Sequence, residues 1–375
     1  MVIFMEKLTL MPKCTYYTHS FVTANMPFVT SPLLICQAMK ILVTGGAGFI
    51  GSHTVVSLSE AGFTPVILDN FSNSNPEVLA GLEAILGYPV IFYEGDCNDS
   101  GIYSRIFTEH EIGSIIHFAA YKAVGESMEQ PLKYYRNNLG SLLALLDSMQ
   151  QHGAGNLIFS SSCTVYGEPD QVPVTENTPV KPASSVYGNT KQIGEEILQD
   201  VASSLPFSII SLRYFNPVGA HPSGLIGELP IGVPNNLVPF VTQTAAGIRE
   251  VITIFGNDYP TPDGTCIRDY IHVMDLAEAH VAALNHLLKV KREKYYDVFN
   301  VGTGTGNSVL EVVNTFDQVN NMHVAHQFGP RRSGDVIAVW GNVDKSAEVL
   351  GWKASRSLAQ ALKDAWNWQN RLPKP

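Results

Sequence analysis

The alternation of short apolar runs with longer segments of helical pattern constrains the fold of this chain most strongly. From residue 40 onward, runs rich in Val, Ile and Leu alternate with helical segments, which is typical of parallel strands joined by crossover helices. Because these runs are short and uniformly apolar, helices are expected to cover both faces of the sheet. The fold class predicted is therefore α/β, with a doubly wound parallel sheet. Strands are predicted at residues 41–44, 66–69, 90–94, 114–118, 157–161 and 208–212.

A change of rhythm after Arg213 predicts a second, smaller lobe. The prolines at 217, 222, 230, 234 and 239 crowd the stretch that follows, so it cannot form one long helix. Residues 296–301 have the pattern of a strand that returns to the sheet, so the two lobes are expected to interleave. We predict a nucleotide-binding domain over residues 39–213 and a mainly substrate-binding α/β lobe over residues 214–375.

Composition excludes several classes of protein. Apolar residues make up 45% and charged residues 15% of the 375 residues, as in globular enzymes. The net charge of −10 gives no general attraction for nucleic acid or anionic membranes, so neither is an expected partner. The five cysteines are scattered without a Cys-x-x-Cys pair and the histidines are dispersed, so no metal site is predicted. Reduced, unpaired thiols predict a cytoplasmic protein.

The first thirty-eight residues differ in character from the rest. Prolines interrupt short mixed runs, and the segment has neither a transmembrane-length apolar stretch nor a clear cleavage site. We predict a weakly ordered extension over residues 1–38. Because Met39 stands directly before the first predicted strand, an upstream start codon in the gene is an equally open interpretation.

A glycine-rich turn follows the first predicted strand. Residues 44–51 read TGGAGFIG, and glycines there allow the backbone to approach a pyrophosphate at the start of a helix. Asp69 ends the second predicted strand, where a carboxylate accepts hydrogen bonds from a ribose hydroxyl and repels a 2′-phosphate. This context predicts a Rossmann-type site for NAD rather than NADP. The alternative is a structural strand-turn-helix without a ligand.

Tyr187 and Lys191 are candidates for the reacting groups. They are four residues apart, so on a helix they share one face. A neighbouring ammonium group and an oxidised nicotinamide both favour a phenolate, which can remove a hydroxyl proton while hydride leaves the same carbon. Ser162 lies where the fifth predicted strand ends and can donate to the same oxygen. Taken alone, the Tyr/Lys pair is a common coincidence and the serine a common turn residue.

Five longer motifs carry a resemblance to a known family. They read LVTGGAGFIGSH at 42–53, KAVGES at 122–127, RYFNPVGAHPSG at 213–224, FGNDYP at 255–260 and RDYIHVMD at 268–275. From Met39 almost to the C-terminus, the chain resembles the UDP-glucose 4-epimerases of the extended short-chain dehydrogenase/reductase family. The resemblance implies that bound NAD takes hydride from carbon 4 of a UDP-hexose and returns it to the opposite face. Tyr187 is then the base, Lys191 binds the nicotinamide ribose and tunes Tyr187, and Ser162 holds the reacting oxygen.

The resemblance also implies two sets of binding residues. Those around NAD are Gly45, Gly48, Phe49, Ile50, Gly51, Asp69, Asn70, Phe71, Ser72, Asn73, Ser74, Asp96, Cys97, Phe118, Ala119, Ala120, Tyr121, Lys122, Asn137, Ser162, Tyr187, Lys191 and Phe215. Those around the UDP-sugar are Lys122, Ser162, Tyr187, Asn216, Asn236, Leu237, Phe255, Arg268, Tyr270, Arg332, Asp335 and Val339. The two arginines suit a diphosphate, because guanidinium groups bind phosphate oxygens in pairs.

Two positions depart from the family pattern. Cys163 stands where the family usually has alanine, and this small change is expected to leave Ser162 in place. Val339 stands where some members carry a tyrosine beside the sugar. The smaller side chain predicts room at carbon 2, so N-acetylated UDP-sugars are hypothesised as further substrates.

Two alternative functions and an assembly remain open from the sequence. A nucleotide-sugar 4,6-dehydratase shares the Tyr/Lys pair but resembles proteins with Thr-Asp-Glu after the fifth strand, where this chain has Ser-Cys-Thr at 162–164. A non-catalytic NAD-sensing protein commonly loses the tyrosine or the lysine, and both are retained here. The resemblance further implies a homodimer formed by helices near 131–152 and 187–203.

Overall fold

The computed structural model describes residues 15–16, 34–35, 38–290, 293–332 and 335–373. In the first forty residues, Thr15–Tyr16 and Leu34–Ile35 pair as short antiparallel strands. Apart from Ala38, the rest of the predicted N-terminal extension lies outside the described residues, so the prediction of weak order there is untested.

A seven-stranded sheet, parallel throughout, forms the centre of the structure. Each predicted strand is present within two residues of its expected bounds, and the returning segment adds the edge strand. The strand order is β3-β2-β1-β4-β5-β6-β7, which confirms the α/β, Rossmann-type doubly wound fold. The strands are β1 (Lys40–Thr44), β2 (Thr64–Asp69), β3 (Ile91–Glu94), β4 (Ile112–His117), β5 (Asn156–Ser160), β6 (Ser208–Tyr214) and β7 (Tyr295–Val301).

Helices cover both faces of this sheet, as the apolar strands require. Side chains alternate along β1, so Ile41 and Val43 pack in one core with helices α1 and α9 while Leu42 packs in another with α3, α6 and α7. The helices are α1 (Phe49–Glu60), α2 (Glu77–Leu86), α3 (Ser100–Glu109), α4 (Val124–Glu129), α5 (Pro131–Tyr134), α6 (Gly140–His152), α7 (Val186–Ser204), α8 (Leu237–Ala245), α9 (Val273–Val290), α10 (Val309–Asn320) and α11 (Leu358–Arg371).

Shorter elements after β6 build a smaller α/β lobe. Helices α8, α10 and α11 pack around a separate core that includes Val241, Ile254 and Phe316. The helix α9 and the strand β7 return to the large sheet, so the chain passes between the lobes more than once. The division at residues 213 and 214 stays a prediction. The additional strands are Asn216–Val218, Ile252–Phe255, Ile267–Arg268, Tyr270–His272, Asn307–Ser308, His326–Gly329 and Ala338–Val339.

The helices of the described segments include none with both the length and the apolar character that a membrane crossing requires.

Three buried histidines make the fold sensitive to acid. Burial lowers the pKa of His53 and of His117 to about 3 and that of His280 to about 4. Above pH 6.5 these histidines are neutral in the folded and in the unfolded chain, and their contribution to the free energy of unfolding is fully present. As the pH falls from 6.5 toward the lowered pKa values, the unfolded chain binds protons that the folded protein does not, and this contribution is lost. Each histidine is expected to remove about 1.4 kcal/mol of unfolding free energy per pH unit within that window.

This acid sensitivity can be measured from urea midpoints at pH 7.5 and 5.5. The variant His280→Gln, whose amide can donate to the Leu276 carbonyl as the ring does at 2.8 Å, is expected to show a smaller difference between the two pH values. The matched control is His323→Gln, because the His323 side chain is 81% exposed. Equal pH dependence in all three proteins would contradict the assignment.

Candidate active site

A cleft of about 1420 Å³ lies outside the carboxyl ends of the sheet strands, facing the smaller lobe. Ligands of open α/β sheets bind at this edge. The cleft wall brings together all the site residues named from the sequence except Phe71 and Phe255. Phe71 has a φ of 55° and packs its ring on Phe92, with the centroids 5.1 Å apart. Phe255 ends a strand of the smaller lobe, is 44% exposed, and lies 5.8 Å from the Arg332 guanidinium.

The glycine-rich turn forms a cradle of backbone at the start of α1. Gly45 has a φ of 70°, and its carbonyl accepts a hydrogen bond from the Gly48 N–H at 3.1 Å. A Cβ atom on Gly51 would stand 2.2 Å from that carbonyl oxygen, so only glycine fits there. The helix begins at Phe49 without a side-chain cap, which leaves its first N–H groups for an anion. The cradle therefore fits the pyrophosphate of a dinucleotide.

Asp69 fixes the two loops that flank this cradle. Its Oδ2 accepts from the Ala47 N–H at 3.0 Å, and its Oδ1 accepts from the Phe71 N–H and the Ser74 hydroxyl, both at 2.9 Å. A carboxylate oxygen has more than one lone pair, so a ribose hydroxyl can still donate to it. Asp69 thus holds both loops in place and also lines the cleft.

A π-helical turn carries Asn137 and Asn138 into the site. The turn spans Tyr135–Leu139, between α5 and α6, and such turns re-aim the side chains that they carry. Asn138 accepts from the Tyr121 N–H at 2.8 Å and donates to the Tyr121 carbonyl at 3.0 Å and to the Thr190 hydroxyl at 3.1 Å. It therefore ties the cofactor loop after β4 to the helix α7. Asn137 lines the cleft beside it.

Tyr187 and Lys191 lie in the first turns of α7, as their spacing predicts. The Ser185 hydroxyl caps this helix by accepting from the Gly188 N–H at 3.1 Å. Lys191 donates to the Ser160 carbonyl at 2.5 Å, and its Nζ is 5.9 Å from the centre of the Tyr187 ring. Both side chains are buried.

Burial opposes the charged forms of both groups. It raises the pKa of Tyr187 well above its usual value, although the Ser162 hydroxyl acts in the opposite direction. It also lowers the pKa of Lys191 to about 7, against the attraction of Glu195. A bound cation, such as an oxidised nicotinamide, shifts Tyr187 toward the phenolate by the same electrostatic rule. The protonation of both groups therefore depends on the charges that lie near them.

Ser162 stands at the end of the strand β5, next to Tyr187. It has extended backbone and precedes a 3₁₀ turn over Cys163–Tyr166, whose Thr164 N–H donates to the Ser162 hydroxyl oxygen at 3.2 Å. Cys163 is the first residue of that turn, and the expectation that it leaves Ser162 in place where the family has alanine stays a prediction. Burial raises the pKa of the Cys163 thiol to about 12, so the thiol is not a nucleophile near neutral pH.

Cationic groups on the smaller lobe face the cofactor cradle across the cleft. Arg332 pairs with Asp335 through two hydrogen bonds of 2.7 and 3.2 Å, and an Arg268 Nη2 atom lies 3.9 Å from the same carboxylate. The parallel pairing of Arg268 with Val339 places that arginine beside the valine on the cleft wall. Two guanidinium groups around one acceptor suit the diphosphate of a nucleotide sugar.

Lys122 and Asn236 both contact the side chain of Glu228. The Glu228 carboxylate accepts from the Asn236 amide at 2.5 Å and lies 3.5 Å from the Lys122 Nζ. The Trp368 indole N–H donates to the Glu228 carbonyl at 3.1 Å, which holds this segment of the loop. The remaining residues proposed for the sugar nucleotide, Asn216, Leu237 and Tyr270, also line the cleft.

Comparisons with known proteins decide the family. A UDP-glucose 4-epimerase from Yersinia pestis is 52% identical over 337 residues, which cover 90% of this chain and 99% of that protein. The family model described as GDP-mannose 4,6 dehydratase matches residues 42–365. The chain belongs to the UDP-glucose 4-epimerase family.

Solved structures of the epimerase family agree with this assignment. A UDP-glucose 4-epimerase from Bifidobacterium longum, in complex with NAD⁺ and UDP, is 45% identical and superposes with a TM-score of 0.85, covering 89% of this chain and 98% of that one. A UDP-Glc/GlcNAc 4-epimerase from Campylobacter jejuni is 36% identical, with a TM-score of 0.76 over 89% of this chain and 100% of its own.

Sequence reasoning missed three polar residues that organise the site. Asn138 was not assigned a role from the sequence, because nothing in a helical pattern reveals the π turn that carries it. Glu228 lies in a proline-rich loop without periodicity. Glu195 had a usable signal, since it is four residues after Lys191 on the same face of α7. A carboxylate on a buried helix face requires a partner, and Arg213 is that partner.

Proposed function

We propose that this chain interconverts UDP-glucose and UDP-galactose by epimerisation at sugar carbon 4, through a 4-keto intermediate, with NAD retained in the site. One observation carries the proposal most directly: Tyr187, Lys191 and Ser162 lie in the same cleft as a glycine cradle and a pair of arginines. The membership in the UDP-glucose 4-epimerase family supports the same reaction. Bound NAD would supply the hydride acceptor and donor.

The residues of the chain divide the remaining work. Tyr187 removes the proton of the 4-hydroxyl as a phenolate, and its position beside Lys191 makes this form accessible. Ser162, at the strand end, donates a hydrogen bond to the reacting oxygen. Arg268 and Arg332 hold the diphosphate, so the sugar can turn about its linkage while the nucleotide stays bound.

The dehydratase alternative lacks its chemical groups in this cleft. Elimination of water needs an acid and a base beyond the tyrosine, and the cleft presents Cys163 and Thr164 where the related dehydratases carry an acidic pair. The retained Tyr187 and Lys191 argue against the sensor alternative. Burial of two ionisable side chains in a cleft costs free energy and is typical of catalytic sites.

The decisive assay incubates the purified protein with UDP-galactose, without added NAD, and follows UDP-glucose. Turnover with cofactor that was purified with the protein is the expected result. A protein that stays inactive even when NAD is supplied would contradict the proposal. The dehydratase and the NAD sensor would then be the remaining alternatives.

We also propose that N-acetylated UDP-hexosamines are substrates. The support is Val339, a small buried side chain on the cleft wall beside Arg268. Its size leaves space that a larger aromatic residue would fill.

The variant Val339→Tyr tests this second substrate class. The added ring is expected to lower kcat/KM for UDP-N-acetylglucosamine by about 10- to 200-fold, the range that one steric mismatch in a pocket produces. Activity on UDP-glucose should change much less. The matched control is Val349→Tyr, because Val349 is an exposed valine away from the cleft. Absence of any turnover of the N-acetylated sugar by the wild type would remove the idea.

We further propose that the chain forms a homodimer. The support is two large apolar side chains that are exposed outside the cleft wall, Leu132 on α5 and Leu143 on α6. Both lie on the predicted helices around 131–152. Sedimentation equilibrium tests the assembly, and a monomer at all concentrations would exclude it. The cytoplasmic location and a role in galactose metabolism stay predictions.

A further inference from the structure

Glu195 is a buried carboxylate that the mechanism above does not use. It lies on α7, four residues after Lys191 and eight after Tyr187, on the same helix face. Its side chain is 8% exposed, and it is not part of the cleft wall. It therefore touches neither substrate nor cofactor, and any effect on the reaction must pass through its neighbours.

The carboxylate is held by a fork of hydrogen bonds. Arg213 donates to it from Nε at 3.0 and 3.2 Å and from Nη2 at 2.5 Å. The Ser161 hydroxyl donates to Oε1 at 2.5 Å. Glu195 and Arg213 therefore form a buried, bidentate ion pair.

These contacts connect Glu195 to the reacting groups on both sides. Ser161 stands between Ser160, whose carbonyl accepts from Lys191, and Ser162, whose hydroxyl lies next to Tyr187. The Glu195 carboxylate therefore holds the end of β5, where Ser160 is the partner of Lys191 and Ser162 is the partner of Tyr187.

Besides the Ser160 carbonyl that accepts from it, the described neighbours of Lys191 include aromatic rings and neutral groups. The Phe159 ring from β5 lies 4.7 Å from Nζ, and the Tyr187 ring lies on the same helix. His117 from β4 is neutral, and Tyr214 from β6 bonds Ser160 as a neutral phenol at 2.6 Å. Among the described groups that face Lys191, Glu195 supplies the negative charge, and its attraction raises the pKa that burial lowers.

We propose that Glu195 is a positioning residue that keeps Lys191 protonated during the reaction and holds the 160–162 strand end in place. This inference rests on the proposed epimerase function. Without the charge, the buried ammonium group loses its counterion and gives up its proton at lower pH. Tyr187 then loses the neighbouring cation that favours its phenolate, so proton abstraction slows.

The test is the pH dependence of kcat for the NAD-containing protein. In Glu195→Gln the alkaline limb is expected to move to lower pH by about one unit, the size of shift that a nearby charge produces. Glu195→Asp keeps the charge and is expected to hold the limb at the wild-type pH even where its turnover falls. The matched control is Glu196→Gln, the same change at the adjacent, exposed position of α7, which should leave the profile unchanged.

A double variant tests the case in which the single variant fails to fold. Glu195→Gln leaves the buried Arg213 without its carboxylate, although the Tyr166 hydroxyl and the Glu176 carbonyl still accept from it. The double variant Glu195→Gln with Arg213→Gln removes both charges and is expected to shift the limb in the same direction. An alkaline limb that coincides with the wild type in these variants, with or without reduced turnover, overturns the inference. A wild-type protein without turnover is a different result, because it removes the proposed function itself.

Discussion

Tyr187→Phe is expected to lower kcat for UDP-galactose by about 10²- to 10⁴-fold, the usual contribution of a positioned general base. The substitution removes one hydroxyl from a side chain that is buried at the start of α7. Phenylalanine fills the same volume, so the helix cap at Ser185 and the bond from Lys191 to Ser160 should persist. The measurement is the initial rate of UDP-glucose formation, together with the NAD content of the purified variant.

A matched variant separates loss of the base from loss of structure. Tyr135→Phe removes a hydroxyl that accepts from the Asn189 amide of the same helix at 2.7 Å, outside the cleft wall. It is expected to retain near wild-type turnover. If Tyr187→Phe keeps NAD and also keeps its activity, then Tyr187 is not the base and the proton must leave through another group.

Asp69→Ala is expected to weaken NAD binding by about 100-fold. The carboxylate accepts three hydrogen bonds that hold the glycine cradle and the 70–74 loop against β2. Hydrogen bonds to a charged group contribute about 1.5 to 3 kcal/mol each, and 1.4 kcal/mol corresponds to a factor of ten in affinity. The disordering of the two loops, added to the loss of a ribose partner, accounts for the expected effect. Calorimetry on NAD-depleted protein gives the dissociation constant directly.

The control for this substitution is Asp99→Ala. Asp99 caps α3 by accepting from the Gly101 N–H at 2.8 Å and is exposed, so the same chemical change there should cost little affinity for NAD. Retention of wild-type NAD content in Asp69→Ala would show that the cradle holds its shape without the carboxylate. The ribose contact inferred from the motif would then also be unimportant for affinity.

Much of the fold could be predicted because parallel strands leave a strong local pattern. Both faces of β1 are buried, so residues 41–43 read as a continuous apolar run, and the same holds for residues 157–159 of β5. The ends of those strands were also predictable, because glycines and hydroxyl residues follow them. Candidate functional groups at strand ends could therefore be predicted from the sequence. Tyr187 and Lys191 could be predicted as a pair from their helical spacing.

The groups that connect those residues were not predictable in the same way. Asn138 contacts Tyr121 and Thr190 because it lies in a π turn. Such a turn adds one residue to a helix, and the periodic pattern of the sequence does not reveal it. The pairing of Glu195 with Arg213 joins a helix to a strand eighteen positions later, and the partner of a buried charge depends on packing. Likewise, the exposure of the Phe255 ring depends on the turn that follows its strand.

The path of the chain between the lobes affects how the protein must be made. Strand β7 is hydrogen-bonded along the whole of β6, yet it emerges from the ribosome about eighty residues later. Until then the sheet has an unpaired edge at β6. A chain that ends at residue 213 would lack both α9 and β7, so it is expected to expose that edge and the apolar face that α9 covers, and to aggregate more readily than the whole chain.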